Sequence, residues 1–142
     1  DIDLIVLIEE EDVKTQEPTY ILDYFHILSG SSTIPSATVR IKKGDEVYED
    51  ASRGDGPVDA IYKAIDRITG ITPVLKEYKI NAITGGKDAQ GEVIVAIEID
   101  SIRVADKGYS TDIIEASAKA YINAINRYIV RKNITKAKYE GT

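Results

Sequence analysis

The sequence predicts an α+β fold of two β-β-β-α repeats, related by a pseudo-twofold axis, with sheets packed against helices. Three observations carry this reading. A shift of 54 positions pairs Tyr24 with Tyr78, Ser31 with Gly85, Val39 with Val93, Ala51 with Ala105 and Gly54 with Gly108. The same shift lays strand-like segments on strand-like segments and a helical period on a helical period. One such unit cannot bury a sheet face under a single helix, so two units must share a core.

Residues 1–17 stand outside the repeat. "DIDLIVLIEEED" fits a strand or a short helix by pattern, and "VKTQEP" after it reads as the end of a linker. The domain then occupies 18–142, with repeat one at about 20–70, repeat two at about 74–130 and a polar tail over 131–142. In repeat one, residues 20–29 ("YILDYFHILS") are rich in β-branched and aromatic side chains and broadly alternate, which predicts a strand. "GSSTIPS" follows as a loop. "ATVRI" and "EVYEDAS" are two more strands across the turn Lys43-Gly44-Asp45. Val58, Ile61, Ile65 and Ile68, spaced by three and four, predict the helix.

Repeat two repeats the order. Residues 74–84 ("VLKEYKINAIT") are a strand and "GGKDAQG" a loop, followed by strands "EVIVAIEI" and "IRVADKG" across Asp100-Ser101. Ile113, Ser117, Ala120, Tyr121, Ala124 and Tyr128 line one helical face. "AIYKAIDR" and "AYINAINR" correspond at a shift of 60, so the second helix should be longer by about six residues. The last dozen residues, with Lys132, Lys136 and Lys138, have no apolar period and read as a solvated end.

Composition excludes several classes of function. The chain is 43% apolar and 30% charged, with no apolar run near the ~20 residues of a membrane span, so no membrane partner is expected. It contains neither Cys nor Met, which removes disulfides, thiolate metal sites and redox chemistry, and the missing initiator leads us to expect a processed chain or, preferably, an excised fragment. No secretory leader is present, which makes the Asn133-Ile134-Thr135 sequon accidental and the cytoplasm the expected location. A net charge of −6 repels phosphate backbones and argues against nucleic acid.

Enzyme signatures are absent as well. The single histidine, His26, lies within a strand, where an imidazole is usually packed or half-exposed. Glu98, Asp100, Asp112 and Glu115 lack the histidines or close carboxylate repeat of a metal site, and "GGKDAQG" carries its glycines and lysine in the wrong order for a phosphate loop. No catalytic residue, metal or cofactor is therefore expected.

What remains is the helix starts. The first turn of a helix has N–H groups without internal partners, and the macrodipole adds about half a positive charge there. In "RGDGPVDA", Pro57 sits where a missing N–H costs nothing, while Gly54 and Gly56 would let a carboxylate approach the backbone. In repeat two, Ser110-Thr111-Asp112 with Glu115 has the form of a capping box. Such sequences mostly just start helices. Their recurrence at matched places, glycine-led and flanked by apolar residues, points to a small apolar molecule bearing a carboxylate.

Two longer stretches add a resemblance. "LKEYKINAITGGKDAQGEV" (75–93) and "KGYSTDIIEASAKAYINAINR" (107–127), together with "RGDGPVDA" (53–60), resemble the C-terminal regulatory domain of 2-isopropylmalate and citramalate synthases over about residues 20–130. The opening "DIDLIVLIEEE" resembles the end of the linker before that domain, which favours a helix there. The resemblance implies a non-catalytic domain that forms a homodimer and binds an end product, leucine or isoleucine, thereby inhibiting a separate catalytic barrel of the parent enzyme. It also implies an effector site near the subunit interface, with Gly54, Asp55, Gly56 and Val58 from the first helix start and Tyr109 and Ser110 from the second. Leu75, Tyr78 and Ala82 of the strand, with Ala89 of the loop, match the apolar lining. Backbone donors would take the carboxylate, and Asp55 or carbonyls near it would take the ammonium; Asp55 stands where some members have asparagine, and its alternative role is only to cap the helix. "STDIIEASAKAYINAINR" is nearer the isopropylmalate branch, which favours leucine.

Overall fold

The computed structural model describes residues 17–83 and 89–140, the side chains of 83 and 138–140 excepted. The expectations for residues 1–16 and for most of the "GGKDAQG" loop lie outside the described residues. Two three-stranded antiparallel sheets are each followed by a helix, the β-β-β-α order twice over. The elements are β1 (Ile21–Gly30), β2 (Thr33–Lys43), β3 (Glu46–Arg53), α1 (Pro57–Thr69), β4 (Val74–Ile83), β5 (Gln90–Ile99), β6 (Ile102–Ser110) and α2 (Ile113–Glu140). The central strand of each sheet is the middle one in sequence, β2 or β5.

Turn chemistry accounts for the hairpins. Gly44 takes φ 61° between β2 and β3, and Gly70, at φ 71°, ends α1 by donating its N–H to Asp66 O at 2.9 Å. Between β5 and β6, Asp100 and Ser101 both adopt positive φ, 49° and 67°, as a two-residue type I′ hairpin requires.

Two expectations need correction. "GSSTIPS" is not a loop throughout: Gly30 already pairs with Thr33, so the turn is Ser31-Ser32 and β2 begins at Thr33. Pro35 is accommodated in this central strand next to a register irregularity, and its carbonyl accepts from Gly54 N at 3.0 Å. The second helix exceeds the first by far more than six residues, 28 against 13. The polar tail continues it to Glu140, because no Gly or Pro interrupts the chain before Gly141 and basic residues suit a helix C-terminus. Residues 131–137 are exposed along this extension.

Both repeats contribute to one core. Val39 and Ile41 of β2, Ile61 and Ile65 of α1, Val93, Val95 and Ile97 of β5, Val104 of β6 and Ile125 of α2 are fully buried together. Each such side chain removed from water contributes about 2 kcal/mol. Each helix lies on its own sheet, the helices touch, and α2 also reaches β1. Just before β1 the chain makes a further contact with α2, polar and buried: Asn126 accepts from Tyr20 N at 2.9 Å and donates to Tyr20 O at 2.8 Å. Asn126→Ala orphans both backbone groups and is expected to cost about 2 kcal/mol in urea unfolding. Asn123→Ala, removing an exposed hydrogen bond to Lys107 O, should cost under ~0.5 kcal/mol.

Candidate functional site

The two helix starts that looked alike in sequence are built differently. At α1, Gly56 is the N-cap in an extended conformation, φ −167° and ψ 178°, and no side chain caps the helix. Asp59 reaches back to accept from Asp55 N at 2.8 Å, and Lys63 pairs with the same carboxylate at 3.0 Å. The backbone hydrogen bond from Asp55, and then Lys63, hold the Asp59 carboxyl below its ordinary range against the opposing effect of burial. The Asp55 side chain is exposed and forms no cap.

At α2 the chain satisfies itself. Asp112 Oδ1 accepts from Ile114 N at 2.9 Å, Ser110 Oγ accepts from Asp112 N at 3.1 Å, and the Ser110 hydroxyl donates to Glu115. This departs from a capping box, in which Glu115 would have accepted from the N-cap backbone. Of the two amide clusters, the one at α1 lacks side-chain capping.

The glycines also divide by role. A Cβ on Gly54 would drive into the backbone of Ala60, with the Ala60 Cα at 2.7 Å and the Asp59 carbonyl carbon at 2.8 Å. Its partner in the repeat, Gly108, would meet Ala116 O at 2.5 Å and Ala120 N at 2.6 Å. Both let a helix lie directly on the strand before it, so the space over Gly54 is already filled by protein. Above Gly56 nothing lies within 4 Å, and that is the open approach to the helix start.

Strand β4 presents the predicted apolar positions on one face. Tyr78 pairs with Val95 and Ala82 with Gly91, and a bulge between Leu75 and Glu77 restores Leu75, opposite Ile97, to that same side. Ile80, opposite Val93, belongs with them and was missed, although simple alternation with Tyr78 marks it. The face shared with buried Val93, Val95 and Ile97 is covered by α2 over β5 and β6 but is left open over β4. Leu75 is 44% exposed, Tyr78 37% and Ile80 50%.

Hydroxyl groups join this face to both helices at Ser117. Tyr78 OH and Ser117 Oγ lie 2.6 Å apart, Ser117 Oγ donates to Ile113 O at 2.8 Å, and Tyr62 of α1 donates to Ser117 O at 2.9 Å. Sequence reasoning placed Ser117 on the apolar helix face without assigning it a role; a buried serine among alanines was the available signal.

Three predicted residues sit apart. Tyr109 points to the far face of its sheet, beside Glu92, with Lys107 Nζ 5.7 Å from its ring. Ser110 is buried and engaged in the α2 cap. Ala89 is exposed just before β5. Two surface depressions lie elsewhere: one of about 430 Å³ among Asp23, Tyr24, His26, Thr38, Arg40 and Glu49, another of about 260 Å³ among Pro18, Tyr20, Leu22, Lys119 and Ile122. His26 borders the first from the exposed face of β1. Among the candidate acids, Glu98 pairs with Lys76 at 3.7 Å and Glu115 with Lys119 at 3.9 Å. Among the described residues no three potential ligands gather around a metal position, and no helix is long and apolar enough to cross a membrane.

Comparison with known proteins supplies the context for this arrangement. The family model described as the LeuA allosteric (dimerisation) domain matches residues 1–129. A 2-isopropylmalate synthase of Carboxydothermus hydrogenoformans is 58% identical over 131 residues, covering 91% of this chain and 25% of that protein. Those of Heliobacterium modesticaldum and Aquifex aeolicus are 50% and 46% identical, covering 99% and 93% of this chain and 27% and 26% of theirs. The chain spans about a quarter of the length of the curated relatives it matches.

Proposed function

Because this chain belongs to the LeuA allosteric (dimerisation) domain family, we propose that it binds free leucine as a feedback effector, pairs with a second copy, and restrains the catalytic part of a 2-isopropylmalate synthase. The observation that carries the reading is the start of α1: backbone donors without a side-chain cap, beneath open space at Gly56. An amino-acid carboxylate suits that position by charge and by hydrogen bonding. Asp55, exposed and free of capping duty, is the group on hand for the ammonium.

The apolar side of the ligand calls for Val58, partly buried against the core at the start of α1, and for the open face of β4, with Leu75, Tyr78 and Ala82. That face is a surface rather than an enclosed pocket in one chain, which favours closure by a second copy. Inhibition then requires leucine to prefer one arrangement of regulatory and catalytic parts by ~1–3 kcal/mol. Leucine and isoleucine differ by the place of one methyl, a distinction worth only ~1–3 kcal/mol in an apolar site.

Calorimetric titration of this chain with leucine, isoleucine and valine, paired with sedimentation, tests the proposal. Leucine is expected to bind most tightly, to a dimer, and to stabilise it by about 2.7 kcal/mol at a hundred times its Kd. Tighter binding of isoleucine would instead assign the chain to the citramalate branch. A dimer that neither releases heat nor shifts its melting temperature with any of the three would be a structural dimerisation module alone.

A further inference from the structure

The two repeats are joined by a polar contact between their helices, which meets the proposed effector face at Ser117 through Tyr78. Tyr62 of α1 and Tyr121 of α2 stack with ring centroids 3.9 Å apart and planes 9° from parallel. Tyr121 donates to Asp66 Oδ1 of α1 at 2.7 Å, and Tyr62 donates to Ser117 O of α2. Asp66 is half-buried at this seam, and among the described residues one neutral phenol is the hydrogen-bond donor to its carboxylate.

Among the described residues, charged side chains on the neighbouring elements make contacts of their own. On α1, Lys63 pairs with Asp59 at 3.0 Å, and Arg67 pairs with Asp50 of β3 at 3.2 Å. On β2, Arg40 and Lys42 pair with Asp23 of β1 and Glu49 of β3, while Lys43 lies over the Tyr20 ring. On α2, Lys119 faces Glu115, Arg127 pairs with Asp106 at 3.1 Å, and Lys132 lies over Tyr128. His26 is on the exposed face of β1, whereas Leu22, Phe25 and Ile27 of that strand pack on the core, and Arg53 shares the outer register of β3 with Glu49. Asp59, on α1, adds like charge to Asp66.

We infer that Asp66 makes the joint between the two repeats proton-sensitive, the ionised carboxylate loosening it and the protonated carboxyl tightening it. Burial pushes the Asp66 carboxyl up to about 6; the Tyr121 hydrogen bond opposes the rise and Asp59 adds to it. The folded chain therefore holds this proton more tightly than the unfolded chain. The stabilisation is complete below about pH 4, the ordinary range of an aspartate, and is lost as pH rises through about 6. Asp50, Asp59 and Glu92, held low in the folded chain, act oppositely and lose their contribution as pH falls below about 4. The response of Asp66 is thus read between pH 4.5 and 7.5.

The test is carboxyl ¹³C NMR of the whole chain across pH 3–8, with urea unfolding midpoints at pH 5.0 and 7.5. The Asp66 resonance is expected to titrate near 6, and the urea midpoint to be higher at pH 5.0. Tyr121→Phe, which removes the donor favouring the ionised form, should move the titration higher still. Asp66→Asn, which keeps an acceptor for Tyr121, should flatten the difference between the two midpoints. An Asp66 carboxyl titrating at 4 or below, or an unchanged pH response in Asp66→Asn, overturns the inference.

Discussion

Gly108→Ala is expected to destabilise the domain by about 3 kcal/mol, read as a fall in the urea midpoint at constant slope, and Gly54→Ala by a similar amount. The reason is the neighbour each new methyl would meet. At Gly108 it is Ala116 O at 2.5 Å, Ala120 N at 2.6 Å and Lys119 Cβ at 2.8 Å; at Gly54 it is the Ala60 and Asp59 backbone. Helix backbone cannot swing aside as a side chain can, so α2 or α1 would have to retreat from its sheet and loosen the core contacts of Ile125 or Ile61. Gly91 is the control. Its added methyl would collide with the end of the Ile113 side chain, which can change rotamer, so Gly91→Ala should cost only about 1 kcal/mol. A loss at Gly108 no larger than at Gly91 would mean that close helix approach is not why glycine stands there.

The same pair of glycines marks how far the fold could be read in advance. Gly54 and Gly108 were matched by the repeat, and the β-β-β-α order followed from alternation, turn residues and helical period, all of them local properties of the chain. The purpose of the glycines was not legible. A glycine required for close packing and one above open space, Gly54 and Gly56, have the same letter and differ only in what the rest of the fold brings near. The register of β4 was hidden for a related reason: Leu75 and Tyr78 are three apart, which in a regular strand puts them on opposite faces, and only the bulge reunites them. Tyr109 and Ser110 show the converse. Once β6 runs to Ser110, neighbouring residues must point to opposite faces, and Tyr109 leaves the site. The α2 cap was spelled out in Ser110, Asp112 and Glu115, but which side chain serves which N–H depends on how the strand enters the helix. The polar joint of Asp66, Tyr62 and Tyr121 joins positions 55 or more residues apart, beyond the reach of any local pattern.

Gly56→Asp is expected to weaken leucine binding at least 100-fold, about 2.7 kcal/mol, while leaving the fold intact or slightly more stable. The two effects have one origin. Position 56 is the N-cap of a helix without a side-chain cap, its φ of −167° is open to any residue, and an added Cβ meets nothing within 4 Å. Aspartate is among the best N-caps and would take up the free backbone donors, a gain over glycine of a few tenths of a kcal/mol. Those donors are the ones proposed to hold the effector carboxylate, so the side chain that improves the helix competes with the ligand by occupancy and by charge. Gly56→Ala adds bulk without an acceptor and should leave binding within about tenfold of the unaltered chain, or ~1.4 kcal/mol. Calorimetry and thermal unfolding on the three proteins therefore separate a ligand held at the helix start from one held elsewhere. Leucine affinity unchanged in a folded Gly56→Asp chain would remove α1 from the site, and a parallel loss of stability and binding would mean that the substitution acted through the fold.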